Sequence, residues 1–209
     1  MTPRPRFVLL SALALVACLS ASPASASNIV LNPGFETGSF APWVASTTSG
    51  FNWTVSTGAT HTGNNYADTG CVGAQCISPD PDPAGAWLYQ DLTTTNGQSY
   101  NLSFWYFPGG GTPNELQVRW GGGGVLDLVN NGTGSTYNLY TVSGLVATGS
   151  TMRLEFLGRQ DPSFNGLDDV CVDTPGGVCA AASTVPEPTS LVLMGTALLG
   201  LRRAVRRSR

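Results

Sequence analysis

The chain has 209 residues, only 11% of them charged, with thirteen acidic and ten basic side chains and no lysine. Seven of the arginines lie at the two ends, so the stretch 27–184 holds twelve acidic residues against Arg119, Arg153 and Arg159, a net charge of −9. A domain this acidic lacks the basic footprint that neutralises phosphates, which excludes nucleic-acid binding. Met1–Ala26 reads as a secretory signal peptide: Arg4 and Arg6, then an apolar stretch from Phe7 to Leu19, then Ala24-Ser25-Ala26 as the cleavage site. Leu15-Val16-Ala17-Cys18 offers a competing lipidation site at Cys18, less well formed than the Ala-x-Ala site behind it.

The mature domain, 27–180, is rich in Gly, Thr, Ser and Asn and shows no long 3.6-residue periodicity. Short alternating runs of β-branched and aromatic residues predict strands near Asn28–Leu31, Phe51–Thr57, Tyr66–Asp68, Ala86–Leu92 and Ser99–Phe107. Five more are predicted at Glu115–Trp120, Val125–Val129, Tyr137–Val146, Thr151–Leu157 and Leu167–Val172. Ten short strands without a soluble helix predict an all-β sandwich. Four cysteines remain once Cys18 is set aside, and they allow three pairings. Two local loops, Cys71–Cys76 and Cys171–Cys179, are the simplest set for an exported protein. Neither pair has the C-x2-C spacing of a zinc site.

Alternation also sorts the faces. Tyr100, Leu102, Phe104 and Tyr106 share one side of their strand, with Ser103, Trp105 and Phe107 on the other. Leu116, Val118 and Trp120 leave Gln117 and Arg119 on the opposite side of the next strand. If the 108–114 loop closes a hairpin, Trp105 comes near Gln117 and Ser103 near Arg119. With Trp87 and Tyr89, the residues Trp105, Gln117 and Arg119 combine rings and hydrogen-bonding groups on non-core faces, a mixture that suits sugar. The plainer alternative is that these rings fill the second side of the sandwich.

Little points to catalysis. His61 is the single histidine, and neither a Gly-x-Ser-x-Gly nor a His-Glu-x-x-His pattern occurs. Glu36, Glu115, Glu155, Asp168 and Asp169 could supply the carboxylate pair of a glycosidase, but nothing in the sequence marks two of them. The chain reads as non-catalytic.

The chain closes on three pieces: Pro186-Glu187-Pro188 in a linker (181–190), an apolar run from Leu191 to Leu201, and five arginines (together 191–209). Eleven helical residues reach roughly 17 Å, short of the ~30 Å hydrocarbon core, and the arginine flank is expected to stay cytoplasmic. This order closely resembles the PEP-CTERM sorting signal. The resemblance implies export, transient anchoring by the hydrophobic helix, processing by an exosortase-type membrane protease, and release to the cell surface or beyond.

A second resemblance runs through the domain. Asn32-Pro-Gly-Phe-Glu36, Trp87-Leu-Tyr-Gln-Asp-Leu92, Gly97-Gln-Ser-Tyr-Asn-Leu-Ser-Phe104, Glu115-Leu-Gln-Val-Arg-Trp120 and Leu167-Asp-Asp-Val170 follow in an order similar to the galactose-binding-like jelly roll of carbohydrate-binding modules related to families four and nine. That likeness implies a two-sheet antiparallel jelly-roll sandwich and a structural Ca²⁺ held by Glu36 and Asp168, with Asp169 as the alternative second ligand and carbonyls near 63–66 completing the shell. The Cys71–Cys76 and Pro79–Pro83 insertions depart from the family near a loop that often shapes its cleft. The expectation is an exported, non-catalytic protein of the cell surface or exopolysaccharide matrix that binds carbohydrate. The alternatives are a purely structural matrix protein and, further off, a glycoside hydrolase.

Overall fold

The computed structural model describes residues 27–47, 50–129, 134, 136–161, 163–177 and 179; the expected signal helix, linker and sorting helix lie outside the described residues. Among the described residues, ten strands follow in chain order: β1 (Val44–Ala45), β2 (Thr54–Thr57), β3 (Asn65–Thr69), β4 (Trp87–Thr93), β5 (Ser99–Phe107), β6 (Asn114–Trp120), β7 (Gly123–Val129), β8 (Asn138–Val146), β9 (Thr151–Gln160) and β10 (Asn165–Asp173). A single 3-10 turn, Ala74–Ile77, stands between β3 and β4. Five strands form sheet A, in the order β1-β4-β9-β6-β7, and five form sheet B, in the order β2-β3-β10-β5-β8. Every neighbouring pair is antiparallel.

The inner faces are the apolar halves of the alternating runs. Tyr100, Leu102, Phe104 and Tyr106 of β5 are buried from one sheet, and Leu116, Val118 and Trp120 of β6 from the other. Rings meet across the interior: Phe104 packs edge-on against Phe156 at 5.2 Å, and Trp43 lies 6.1 Å from Phe156. Among the described residues, the buried core cluster runs from Val30 to Val172. Burying a side chain such as Phe156 stabilises the fold by roughly 1.5–3 kcal/mol.

Two expectations need correction. Asn28–Leu31 is not a strand: only Ile29 donates to another backbone group, the Val172 carbonyl, while the Val30 and Leu31 amides turn to the side chains of Asn28 and Gln90 and the Asn28 side chain bonds the Val170 carbonyl and the Val172 amide. Asn32, at a φ of 51°, and Pro33 end any ladder there. The β5–β6 hairpin does not form either. β6 pairs with β7 and β9, while β5 pairs with β10 and β8, so the 108–113 loop crosses from one sheet to the other. Both strands then turn their apolar sides inward and meet across the core, as the Tyr100–Trp120 contact at 5.9 Å records. Disulfides join Cys71 to Cys76 and Cys171 to Cys179.

Candidate functional site

Glu36, Asp168 and Asp169 come together outside sheet B. Phe35 is fully buried in the core and points Glu36 the other way, toward the loop before β3. β10 bulges between Asp168 and Cys171, with Asp169 at a φ of 47°. That left-handed residue brings both carboxylates toward the 61–65 loop, where a regular strand would have sent them to opposite faces. The two carboxylates and the Glu36 stem converge on Gly34. A Cβ at Gly34 would lie 3.4 Å from both Asp168 Oδ1 and Asp169 Oδ1.

Amides of the loop answer these charges. His61 N and Thr62 N donate to Asp168 Oδ2 at 2.8 and 3.2 Å, and Asp169 N donates to Asp168 Oδ1 at 2.8 Å. Burial, followed by the neighbouring Asp169 charge, nevertheless pushes the Asp168 carboxyl up to about 6. Glu36 accepts the Asn64 and Asn65 amides at 2.9–3.0 Å, and the Asn65 amide leads in holding its carboxyl below the usual range. The loop therefore turns N–H groups toward Glu36, where carbonyls were expected to face a metal. Asp169 Oδ2 lies 2.6 Å from His61 Nδ1. The His61 ring stacks on Trp105 at 3.7 Å and meets the Tyr137 ring edge-on at 5.6 Å.

Asp168 Oδ1 and Asp169 Oδ1, the two atoms flanking Gly34, are oxygen donors of the kind Ca²⁺ takes. Only the stem of Glu36 reaches them, because its carboxylate is turned to the Asn64 and Asn65 amides. Among the described residues, Cys171, Asp173 and Cys179 bring their ligand atoms within 4.8 Å, but the disulfide occupies both sulfurs. The His61–Asp169 pair makes no activated nucleophile, because the Thr62 hydroxyl donates to Asp169 and not to the imidazole.

The residues expected to face sugar divide between the sheets. Trp105 lies on the outer side of sheet B, beneath His61. Trp87, Tyr89, Gln117 and Arg119 share the outer face of sheet A, because register sets Trp87 opposite Leu157 and Leu157 opposite Gln117. The next row runs Tyr89, Glu155, Arg119. Residues 71–86 lie across the middle of this face. The 3-10 turn packs on β9 and β6, Leu157 is fully buried on the outer side, and Glu155 is 3% exposed. Burial raises the Glu155 carboxyl, against the lowering effect of the Asp80 amide and Arg119.

On the β4 side, the Arg153 guanidinium sits 3.5 Å over the Tyr89 ring and pairs with Asp80 at 2.5 Å and Asp91 at 2.8 Å. On the β6–β7 side a groove of about 320 Å³ is lined by Gln117, Gly124, Val125, Leu126 and Asp127. Asp127, which no pattern in the sequence marked, stands opposite Gln117.

Outside the described residues, the chain's end carries its own message. Residues 184–208 match the PEP-CTERM protein-sorting motif. Such a motif implies export and exosortase processing at the cell surface. No curated protein matches the sequence. The sandwich is similar to the carbohydrate-binding module TmCBM61, solved in complex with beta-1,4-galactotriose (TM-score 0.51, 16% identity, 70% of this chain and 98% of that one). It is also similar to the K3 cleaved adhesin domain of Lys-gingipain from Porphyromonas gingivalis (TM-score 0.51, 18% identity, 71% and 98%). A Stig cyclase from Fischerella sp. TAU is alike to the same degree (TM-score 0.52, 17% identity, 74% and 100%). At these identities the likeness shows the jelly-roll fold, which hosts binding modules and enzymes alike.

Proposed function

We propose that this PEP-CTERM protein is a non-catalytic carbohydrate-binding protein of the cell surface or exopolysaccharide matrix, released there by an exosortase-type membrane protease. The observation that carries the reading is the groove beside β6 and β7, where Gln117 and Asp127 stand opposite each other next to Arg119. An amide and a carboxylate bonded to each other, and a guanidinium, with further partners in Glu115, Gly122 and Glu155, give this surface the donors and acceptors that orient sugar hydroxyls, on a fold also found in a module that holds beta-1,4-galactotriose. Trp87 and Tyr89 stand on the same outer face at β4, separated from the groove by the covered β9.

One Ca²⁺ would be held by Glu36, Asp168 and Asp169, relieving their mutual repulsion and clipping the N-terminal segment to β10. Addition of Ca²⁺ to EDTA-treated residues 27–184 is expected to raise the unfolding midpoint by several degrees, and Glu36→Ala or Asp168→Ala to abolish the rise. An unchanged midpoint would remove the metal from the proposal.

A glycan array tests the sugar itself. The oxidised sandwich is expected to bind a defined set of glycans and to lose that binding in Gln117→Ala. An array without any retained glycan would favour a structural matrix protein, a reading that the covering of sheet A by residues 71–86 already supports.

A further inference from the structure

We propose that residues 71–86 form a fixed cap that ends the sheet A groove, so that the protein takes terminal or branch sugars of a glycan and not the middle of an extended chain. This rests on the carbohydrate reading of that face. The segment is tied down along its whole length. Cys71 accepts the Gln160 amide at 2.9 Å, Gly73 donates to Asp161 at 2.9 Å, and Asp80 donates to Glu155 at 2.8 Å. The Asp82 carbonyl accepts the Trp87 indole N–H at 3.0 Å, the Ala86 amide donates to the Cys76 carbonyl at 2.9 Å, and the Ala86 carbonyl accepts the Gly158 amide at 3.1 Å. The Cys71–Cys76 disulfide closes it internally. The bonds to Glu155, Gly158, Gln160 and Asp161 hold the segment to the sheet as part of the folded surface.

Both rows of the face are interrupted at β9 as a result. Leu157, between Trp87 and Gln117, has no exposed surface, and Glu155, between Tyr89 and Arg119, has 3%. A sugar against Trp87 or Tyr89 therefore cannot reach Gln117 along the sheet, and Arg153 covers one face of the Tyr89 ring. The two aromatic residues brace the cap. What stays open is the β6–β7 strip, where Gly123 and Gly124 present no side chains and the hollow holds about 320 Å³. That lies at the low end of the ~300–1,000 Å³ of ligand pockets, room for a short piece of glycan only.

The test is calorimetric titration of oxidised residues 27–184 with β-1,4-linked galacto-oligosaccharides of two to six sugars. The intact domain is expected to bind all lengths with the same affinity. A variant with residues 72–84 replaced by a Gly-Ser linker and Cys71→Ser is expected to gain about tenfold in affinity from the shortest to the longest probe. Because that variant uncovers Leu157, the milder pair Asp80→Ala with Glu155→Ala, which removes the Arg153 partner and the acceptor of the residue 80 amide, serves as a second opening, with circular dichroism reporting the fold. Affinity that climbs with length in the intact domain would overturn the cap, as would a flat profile in both folded variants. Failure of the intact domain to bind any length would overturn the carbohydrate reading beneath it.

Discussion

Asp168 shows how a single residue sets a measurable property of the domain. It is fully buried beside a second carboxylate, and its pKa is pushed up to about 6 from 3.8. An acid whose pKa rises on folding holds its proton more tightly when folded, so its ionisation lowers stability as pH climbs through that interval. In EDTA, the unfolding midpoint of residues 27–184 should therefore rise as pH falls from 7 to 5. Asp168→Asn should reduce that slope; an unchanged slope would assign it to other groups, of which Glu155, also raised, is the first. Gly63 makes a steric point in the same cluster. At a φ of 62°, with the site of a Cβ 2.3 Å from Glu36 Oε1, Gly63→Ala must break either the turn or the Glu36 amide bonds. A loss of roughly 1–3 kcal/mol in denaturant unfolding is expected.

At the scale of elements, the cap and the core strands respond differently to damage. Opening the Cys71–Cys76 loop by a double serine substitution removes a short-loop constraint worth about 2 kcal/mol on the chain-entropy account. The loss should appear as a lower unfolding midpoint, with the strand signal in circular dichroism retained. Phe156→Ala, which empties the centre of the Phe104–Trp43 cluster, should cost roughly 3–5 kcal/mol and show in the same denaturant titration.

The strands themselves were legible because alternation reports a half-buried sheet directly. β5 begins and ends where its pattern of Tyr100, Leu102, Phe104 and Tyr106 predicts. Their pairing was not legible, since an inward-facing β6 gives the same pattern whether it hairpins with β5 or crosses to the opposite sheet. β1 escaped notice because two residues, Val44 and Ala45, carry no period.

Across the whole molecule, what the sequence conveyed depends on how far apart the partners lie. The sorting tail is contiguous and was read whole. Glu36, Asp168 and Asp169 were expected near one another through the order of landmarks in the jelly roll; the two aspartates are neighbours at Gly34, while the Glu36 carboxylate turns to the Asn64 and Asn65 amides. The His61–Asp169 contact spans 108 residues and the Asp80–Glu155 bond spans 75, and neither has a local signature. For the same reason Trp105 could be grouped with Gln117 by chain proximity, although the two lie on different sheets. The groove at β6–β7 is likewise a product of pairing, since it needs Asp127 placed opposite Gln117.

The most direct measurement is amide chemical-shift mapping of ¹⁵N-labelled residues 27–184 titrated with a panel of defined oligosaccharides. Sugar binding in the β6–β7 groove predicts saturable shifts at Gln117, Arg119 and residues 124–127, with His61 and Trp105 unmoved. Shifts confined to the His61–Trp105 side of sheet B, or none with any member of the panel, would contradict it.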